Sequence, residues 1–409
     1  MSIKERFHRS TRSIGLTRSV TESMLFRLTG MVLVFLLHLL LARLLGAKAY
    51  GDYTIILTWL NILLVVSLSG FDQSVSGFLP QALAKKEFGK AQGFIRFSGR
   101  WITIMALICS LGIFVYLVYN SRRGRESFSE GMLWAMFTLP LLAYVYRSSS
   151  LLKAFHRIKA SMTPISVVFP LLMAAACAYY YWEHGYLTVD AALLQQFACT
   201  VIISMMIRRA KSRRLRERME SSEIVYERAE WIRTASSFML GSLFQLLLLQ
   251  ADILVIGYLA NHTQAGYYAV AVRITSLVVF GLSVTDYVYL PPIRDAIRQG
   301  QKKSLQKLVT DASRQILLMA LPLLLLLVLT GSYLLGGFGK RFETAAYVPM
   351  LILLAGQVVN AAFGLSAGLL TAAGHRTTLH VIHGVAAVFQ VGLTFVLVPV
   401  WGITGAAVS

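Results

Sequence analysis

The chain has 409 residues, of which 56% are hydrophobic and only 14% are charged, and its mean hydropathy is +0.63. Soluble domains carry about 25% charged residues, so this composition excludes a protein whose whole surface faces water. The formal net charge of +20 would suit a nucleic-acid partner only if the basic residues formed one surface.

Apolar runs long enough to cross a membrane recur along almost the whole chain. The first six lie near residues 24–45, 53–79, 100–119, 131–152, 164–183 and 187–207. After a charged linker, further runs lie near residues 234–259, 267–292, 315–336, 346–370 and 378–398, and a twelfth begins near residue 403. Spans must satisfy their own backbone hydrogen bonds, which predicts helices. We therefore expect an all-α, polytopic membrane protein.

The basic residues distinguish the two sides of that membrane. By these spans, 29 of the 39 Lys and Arg fall in cytoplasmic segments, 6 in external segments and 4 within spans. This positive-inside asymmetry predicts a cytoplasmic N-terminus in the inner membrane of a bacterium or archaeon. It also accounts for the net charge without a nucleic-acid partner. Residues 1–23 are predicted to be a basic cytoplasmic or interfacial segment.

An internal repeat divides the chain. The Tyr-Gly-Asp-Tyr sequence at 50–53 matches Ala-Gly-Tyr-Tyr at 265–268, and the Ala-Ala pair at 191–192 matches that at 406–407. Both matches have an offset of 215 residues. The duplication predicts two pseudo-symmetric six-helix bundles around a central cavity, an arrangement suited to alternating access.

The predicted bundles cover residues 24–207 and 234–409, joined by a charged cytoplasmic linker at 208–233. If the sixth run ends near residue 207, its repeat partner should reach about residue 422. We therefore expect the last helix to be truncated.

Several segments resemble the Wzx-like oligosaccharide flippases of the multidrug/oligosaccharidyl-lipid/polysaccharide exporter superfamily. The segments that carry the resemblance lie at residues 41–51, 69–73, 78–80, 250–257, 266–273 and 401–407. The resemblance implies two six-helix bundles that move polyprenyl-pyrophosphate-linked glycans from the inner to the outer leaflet. It also implies coupling to H⁺ or Na⁺, with no other cofactor and no metal. Family members often carry Arg just before the Phe-Leu-Pro step, where this chain has Gly77.

Charged residues within the spans are the candidate site residues, because a charge in the bilayer usually faces a cavity or a partner. Four arginines, which hold phosphate oxygens bidentately, are candidates for a phosphate path: Arg147, Arg273, Arg27 and Arg43. Three carboxylates are candidates for ion coupling: Asp72, Asp252 and Asp286.

Each candidate has a structural alternative. Arg27 and Arg147 can snorkel to the inner interface, and Arg43 can anchor the outer end of its helix. Arg273 can form an ion pair between the bundles. Asp72 follows a glycine and can cap a helix. The apolar runs that hold His38, His380 and His383 favour packed or interhelical histidines over a proton relay.

Three other functions remain as alternatives to the flippase. The first is export of drugs or organic cations by a related protein, although four arginines against three aspartates in the spans favour an anionic substrate. The second is a membrane glycan polymerase, which would need an exposed catalytic group on a sizeable external loop. The third is a structural or scaffold role for other envelope-assembly enzymes. The candidate partners of a flippase are its lipid-linked oligosaccharide substrate and polysaccharide polymerase machinery. No nucleotide-binding Gly-rich loop with Lys occurs.

Overall fold

The computed structural model describes residues 3–121, 129–155, 157–212 and 223–409. The side chains of residues 3–25, 27, 121, 129–130, 211–212 and 279–287 lie outside this description. In the described chain every regular element is helical, which confirms the predicted all-α class.

The helices follow one another with short connections. The first seven are α1 (Ile3–Leu68), α2 (Phe71–Ala84), α3 (Phe88–Ser121), α4 (Ser129–Ala154), α5 (Ile158–Thr163), α6 (Phe169–His184) and α7 (Val189–Ser212), with a π-helical turn at Pro164–Val168 before α6. The last seven are α8 (Arg228–Leu259), α9 (His262–Arg298), α10 (Lys302–Phe338), α11 (Lys340–Phe363), α12 (Ser366–Ala372), α13 (Arg376–Trp401) and α14 (Ile403–Val408).

Eight helical segments of the described chain are long and apolar enough to cross a membrane. One of them, Leu28–Ala84, has 57 residues, or roughly 85 Å at the rise of an α-helix, far more than the roughly 30 Å of a hydrocarbon core. A kink at Gly46, where φ is 75°, splits it into two predicted spans. The prediction of a multi-pass membrane protein is confirmed.

The second and tenth predicted spans are each broken, and the sequence indicated the first break, near Gly70, but not the second. Ser69 and Gly70 both have positive φ and separate the end of α1 from α2. The tenth span ends α11 at Phe363 and restarts as α12 at Ser366. Gly364 lies at this break. Gly368, four residues later, packs against Leu290 of α9.

The apolar surface suits a lipid environment. Large apolar side chains are strongly exposed on several helices, including Leu329 of α10, Phe363 of α11 and Val388 of α13. A soluble monomer rarely exposes so continuous an apolar surface, whereas lipid tails solvate it. Inside, one large cluster of buried apolar residues runs through both predicted halves, from Leu37 to Ala406.

Helix α1 is the main link between the two predicted halves. It packs against α9 and α8, while α2 also packs against α8. Helices α4 and α7 pair within the first half, as α8 and α13 do in the second. The predicted boundaries of the halves stay predictions, and part of the linker at 208–233 lies outside the described residues.

Candidate functional site

The two repeat motifs meet at one crossing of α1 and α9. A Cβ atom on Gly51 would overlap the carbonyl oxygen of His262, and one on Gly266 would overlap the carbonyl oxygen of Ala47. Gly51 and Gly266 are 215 residues apart, as are Ala47 and His262, so the two contacts are equivalent under the repeat. We call this crossing the glycine seam.

A polar contact reinforces the glycine seam. Asp52, which follows Gly51, forms a hydrogen bond through one carboxylate oxygen with the Nδ1 of His262. Both side chains are partly exposed, so this pair adds little stability by itself. It nevertheless joins α1 to α9 beside the two glycines, and the seam closes this end of the boundary between the halves.

Arg273 of α9 reaches the first half. Its guanidinium lies near the Tyr50 hydroxyl in α1. The hydroxyl is also 3.1 Å from Nδ1 of His38, on the other side of the Gly46 kink. His38 is therefore held by a hydrogen bond between two parts of α1, as its structural alternative expected. The cluster places one fixed cation at the boundary between the halves.

Asp252 lies in the core of the second half, where only 7% of it is exposed. Its carboxylate accepts hydrogen bonds from the Tyr268 hydroxyl at 2.8 Å, from the Gln390 amide at 3.0 and 3.1 Å, and from the Thr394 hydroxyl at 3.1 Å. All three donors are neutral. A buried carboxylate without a cationic partner is costly in its charged form, so this site favours uptake of a proton or a small cation.

Two further hydroxyl and carbonyl groups extend the Asp252 site. The Ser409 hydroxyl lies 2.8 Å from that of Thr394, and the Tyr268 hydroxyl also contacts the carbonyl oxygen of Ala406 at 3.3 Å. Oxygen ligands of this kind suit Na⁺ as well as a proton. The site therefore joins α8, α9, α13 and α14 through one titratable group.

Arg147 of α4 packs against the neighbouring helix α3. Its guanidinium donates to the carbonyl oxygen of Ile95 and lies against Gly99. The adjacent Ser149 forms a hydroxyl pair with Ser161 of α5 at 2.6 Å. In this conformation Arg147 thus ties two helices of the first half together, and its predicted role in a phosphate path remains untested.

The other candidates occupy separate places. Asp72 lies in the first turn of α2, where the described residues form no side-chain cap hydrogen bond, at a helix end that favours negative charge. Arg43 lies beside the Gly46 kink at the end of the molecule that holds the glycine seam. The side chains of Arg27 and Asp286 lie outside the described residues.

A large apolar cleft separates the two halves on one side. Its volume is about 940 Å³, which is within the range of ligand-binding cavities. The side chains that line it include Trp59 and Tyr116 from the first half, and Phe244, Tyr258 and Phe395 from the second. The cleft is suited to an apolar chain, and His262 of the glycine seam also lines it.

Sequence reasoning did not identify the partners of the candidate residues. Tyr50 and Tyr268 belong to the repeat motifs, and that signal could have singled them out. Gln390 is one of the few polar residues in the run 378–398, as are His380, His383 and Thr394. Such a pattern marks a polar site in a span. The pairing of Asp52 with His262 had no signal in the sequence.

Comparisons with known proteins agree with this architecture. A family model described as polysaccharide biosynthesis protein matches residues 16–296. No curated protein matches the chain. The match to the family confirms the predicted resemblance.

Solved structures show the same fold. An inward-facing multidrug resistance MATE family transporter of the MOP superfamily is similar, with a TM-score of 0.75, 14% identity, and coverage of 94% of this chain and 93% of that one. The lipid II flippase MurJ in an inward closed conformation has a TM-score of 0.72, 12% identity and coverage of 94% and 83%. A mutant of the Vibrio cholerae MATE transporter VcmN has a TM-score of 0.66, 14% identity and coverage of 97% and 93%.

Proposed function

The chain belongs to the polysaccharide biosynthesis protein family, and from this premise we propose that it is a flippase for lipid-linked oligosaccharides. It moves polyprenyl-(pyro)phosphate-linked oligosaccharide from the inner to the outer leaflet of the cytoplasmic membrane, with its N-terminus in the cytoplasm. The observation that carries the proposal is the family match over residues 16–296, since the family serves the synthesis of polysaccharides.

Two features of the boundary between the halves support transport of an amphiphilic lipid. The apolar cleft of about 940 Å³ offers a surface for a polyprenyl chain. Arg273, held near Tyr50 at the α1–α9 contact, offers a fixed charge to the phosphate groups. A guanidinium suits that role because its planar fork binds phosphate oxygens in pairs.

The proposed mechanism is alternating access. The glycine seam brings equivalent residues of the two repeats together at one end, so the halves can rock about this boundary while each keeps its own packing. Opening the seam separates the close glycine contacts and the Asp52–His262 pair. Because one buried apolar cluster runs through both halves, the movement also changes packing between α1 and α9.

Asp252 is our proposed site of ion coupling. Binding of H⁺ or Na⁺ would neutralise the carboxylate and change its bonds to Tyr268, Gln390 and Thr394, which lie on two further helices. The helices of the second half would then adopt a different packing when the ion leaves. Asp72 is a weaker candidate, because its position in the first turn of α2 already stabilises a negative charge.

The MATE structures favour a second candidate function, export of organic cations, because one of them has a TM-score of 0.75. At 14% identity this likeness describes the fold alone. The family match favours the glycan substrate, and Arg273 at the boundary favours an anion over a cation.

Reconstitution tests the two functions directly. Vesicles with purified protein and a polyprenyl-pyrophosphate oligosaccharide are followed by the access of a lectin or a glycosidase to the glycan. Faster exposure of the glycan than in protein-free vesicles supports the flippase. Uptake of an organic cation without glycan exposure would replace it with drug export. Co-purification with a polysaccharide polymerase tests the proposed partner separately.

A further inference from the structure

A second cleft lies at the same end of the molecule as the glycine seam. It has a volume of about 610 Å³ and is formed where the kink of α1 faces the turn between α10 and α11. Four basic side chains line it, namely Arg43, Lys48, Lys340 and Arg341. We call it the basic cleft.

The basic cleft is assembled from distant parts of the chain. Arg43 and Lys48 flank the Gly46 kink in the first half, while Lys340 and Arg341 open α11 in the second. All four side chains are exposed, and no acidic residue lines the cleft. Four like charges in one concavity repel one another, so an anion bound there would stabilise the arrangement.

The location makes this clustering unusual. The positive-inside pattern keeps Lys and Arg away from the external side, and the predicted external segments hold only six such residues. Three of those six, Lys48, Lys340 and Arg341, line this cleft together with Arg43. The helix α11 also begins here, and its N-terminal end favours negative charge.

The neighbourhood of the cleft indicates what kind of anion it binds. Its lining also contains Leu45, Phe338 and Phe342, so apolar surface adjoins the four cations. A lipid headgroup presents a phosphate above apolar chains at the membrane surface, which matches this arrangement. Arginine forks would hold the phosphate oxygens, with the lysines as additional point charges.

We propose that the basic cleft binds the phosphate of an anionic lipid headgroup at the external membrane surface. The same chemistry has two sources, a phospholipid of the bilayer and the pyrophosphate of the glycan lipid after translocation. The second source rests on the proposed function. Arg43 and Lys48 belong to the first half, and Lys340 and Arg341 belong to the second. The bound phosphate therefore bridges the halves while the glycine seam is closed.

The test uses two quadruple variants of the full chain that remove the same charge. The first is Arg43→Gln, Lys48→Gln, Lys340→Gln and Arg341→Gln. The matched control, at the opposite end of the molecule, is Arg294→Gln, Arg298→Gln, Lys302→Gln and Lys303→Gln, whose side chains are also exposed. Native mass spectrometry in neutral detergent measures the binding of phosphatidylglycerol, phosphatidylcholine and a polyprenyl pyrophosphate.

We expect the cleft variant to weaken binding of the anionic lipids at least tenfold and the control variant to leave it within twofold. Loss confined to the polyprenyl pyrophosphate identifies the transported lipid as the source, and loss confined to phosphatidylglycerol identifies the bilayer. Equal loss in both variants, or none in either, overturns the proposal. Binding in detergent does not require translocation, so a wild-type protein that binds these lipids but exposes no glycan in vesicles refutes the flippase alone.

Discussion

Gly51 and Gly266 lie at one helix crossing, each against the carbonyl oxygen of the residue four positions before the other. This reciprocity is what a two-fold relation between the repeats requires at its axis. The sequence match between residues 50–53 and 265–268 is weak, but the backbones of these two segments are in contact.

Substitution at the seam should destabilise the closed arrangement. Gly51→Ala and Gly266→Ala each place a methyl group against a backbone carbonyl, and we expect a loss of about 1–3 kcal/mol, as in other overpacked sites. The double variant should lose less than the sum, since either methyl already forces the helices apart. Thermal unfolding of the purified protein in detergent measures these changes.

Gly356→Ala provides the control, because a Cβ there meets no atom within 4 Å. Alanine favours a helix over glycine, so this variant should keep or slightly raise the unfolding temperature. Seam variants that behave like Gly356→Ala would mean that the close contact between α1 and α9 does not form.

Replacement of Asp252, the proposed coupling carboxylate, should uncouple transport from the ion gradient. Asp252→Asn keeps the size of the side chain and loses its charge, so it cannot exchange a proton or hold Na⁺ electrostatically. We expect glycan exposure driven by an ion gradient to fall at least tenfold. The assay applies H⁺ and Na⁺ gradients separately to the vesicles.

Asp72→Asn is the comparison for ion coupling. A negative charge in the first turn of a helix contributes only about 0.3–1 kcal/mol, so this variant should retain both the fold and the response to the gradient. If Asp252→Asn responds to the gradient as the unmodified protein does, the coupling site lies elsewhere.

The charge of Arg273 should act on the substrate. Arg273→Gln is expected to raise the KM for the glycan lipid about tenfold, which corresponds to the loss of a charged hydrogen bond of about 1.5 kcal/mol. Tyr50→Phe removes the hydroxyl beside Arg273 and keeps the guanidinium. If both variants raise KM equally, Arg273 acts only by joining α9 to α1.

Arg147 should behave differently. Because its guanidinium donates to the carbonyl oxygen of Ile95, Arg147→Ala should lower the free energy of unfolding by about 1–3 kcal/mol and leave KM nearly unchanged. A higher KM at unchanged stability would instead place Arg147 in the phosphate path that the sequence predicted.

Most of the fold follows from the apolar runs of the sequence, because each run must form a helix in a membrane. A glycine followed by Asp72 indicated the break at Ser69–Gly70, but the break at Gly364 could not be predicted from the apolar runs. Glycine inside an apolar run is equally compatible with a continuous helix. Contacts with other helices decide which occurs, as between Gly70 and the backbone of Ala235 in α8.

The candidate site was only partly predictable, for a similar reason. Asp252 was visible as a charge in a span, but Gln390 and Thr394 are 138 and 142 residues further along the chain. Nothing local in the sequence assigns these partners to Asp252. Arg147 was also visible as a charge in a span. The sequence does not show which neighbouring helix such a lone charge faces.

The most direct test of alternating access is to lock the glycine seam and follow transport. Asp52→Cys and His262→Cys, combined with replacement of Cys109, Cys177 and Cys199 by alanine, allow a reducible cross-link where these two side chains meet. The account predicts that cross-linked protein stops exposing the glycan of a polyprenyl-pyrophosphate oligosaccharide in vesicles, and that reduction restores it. Undiminished exposure by the cross-linked protein would contradict the account.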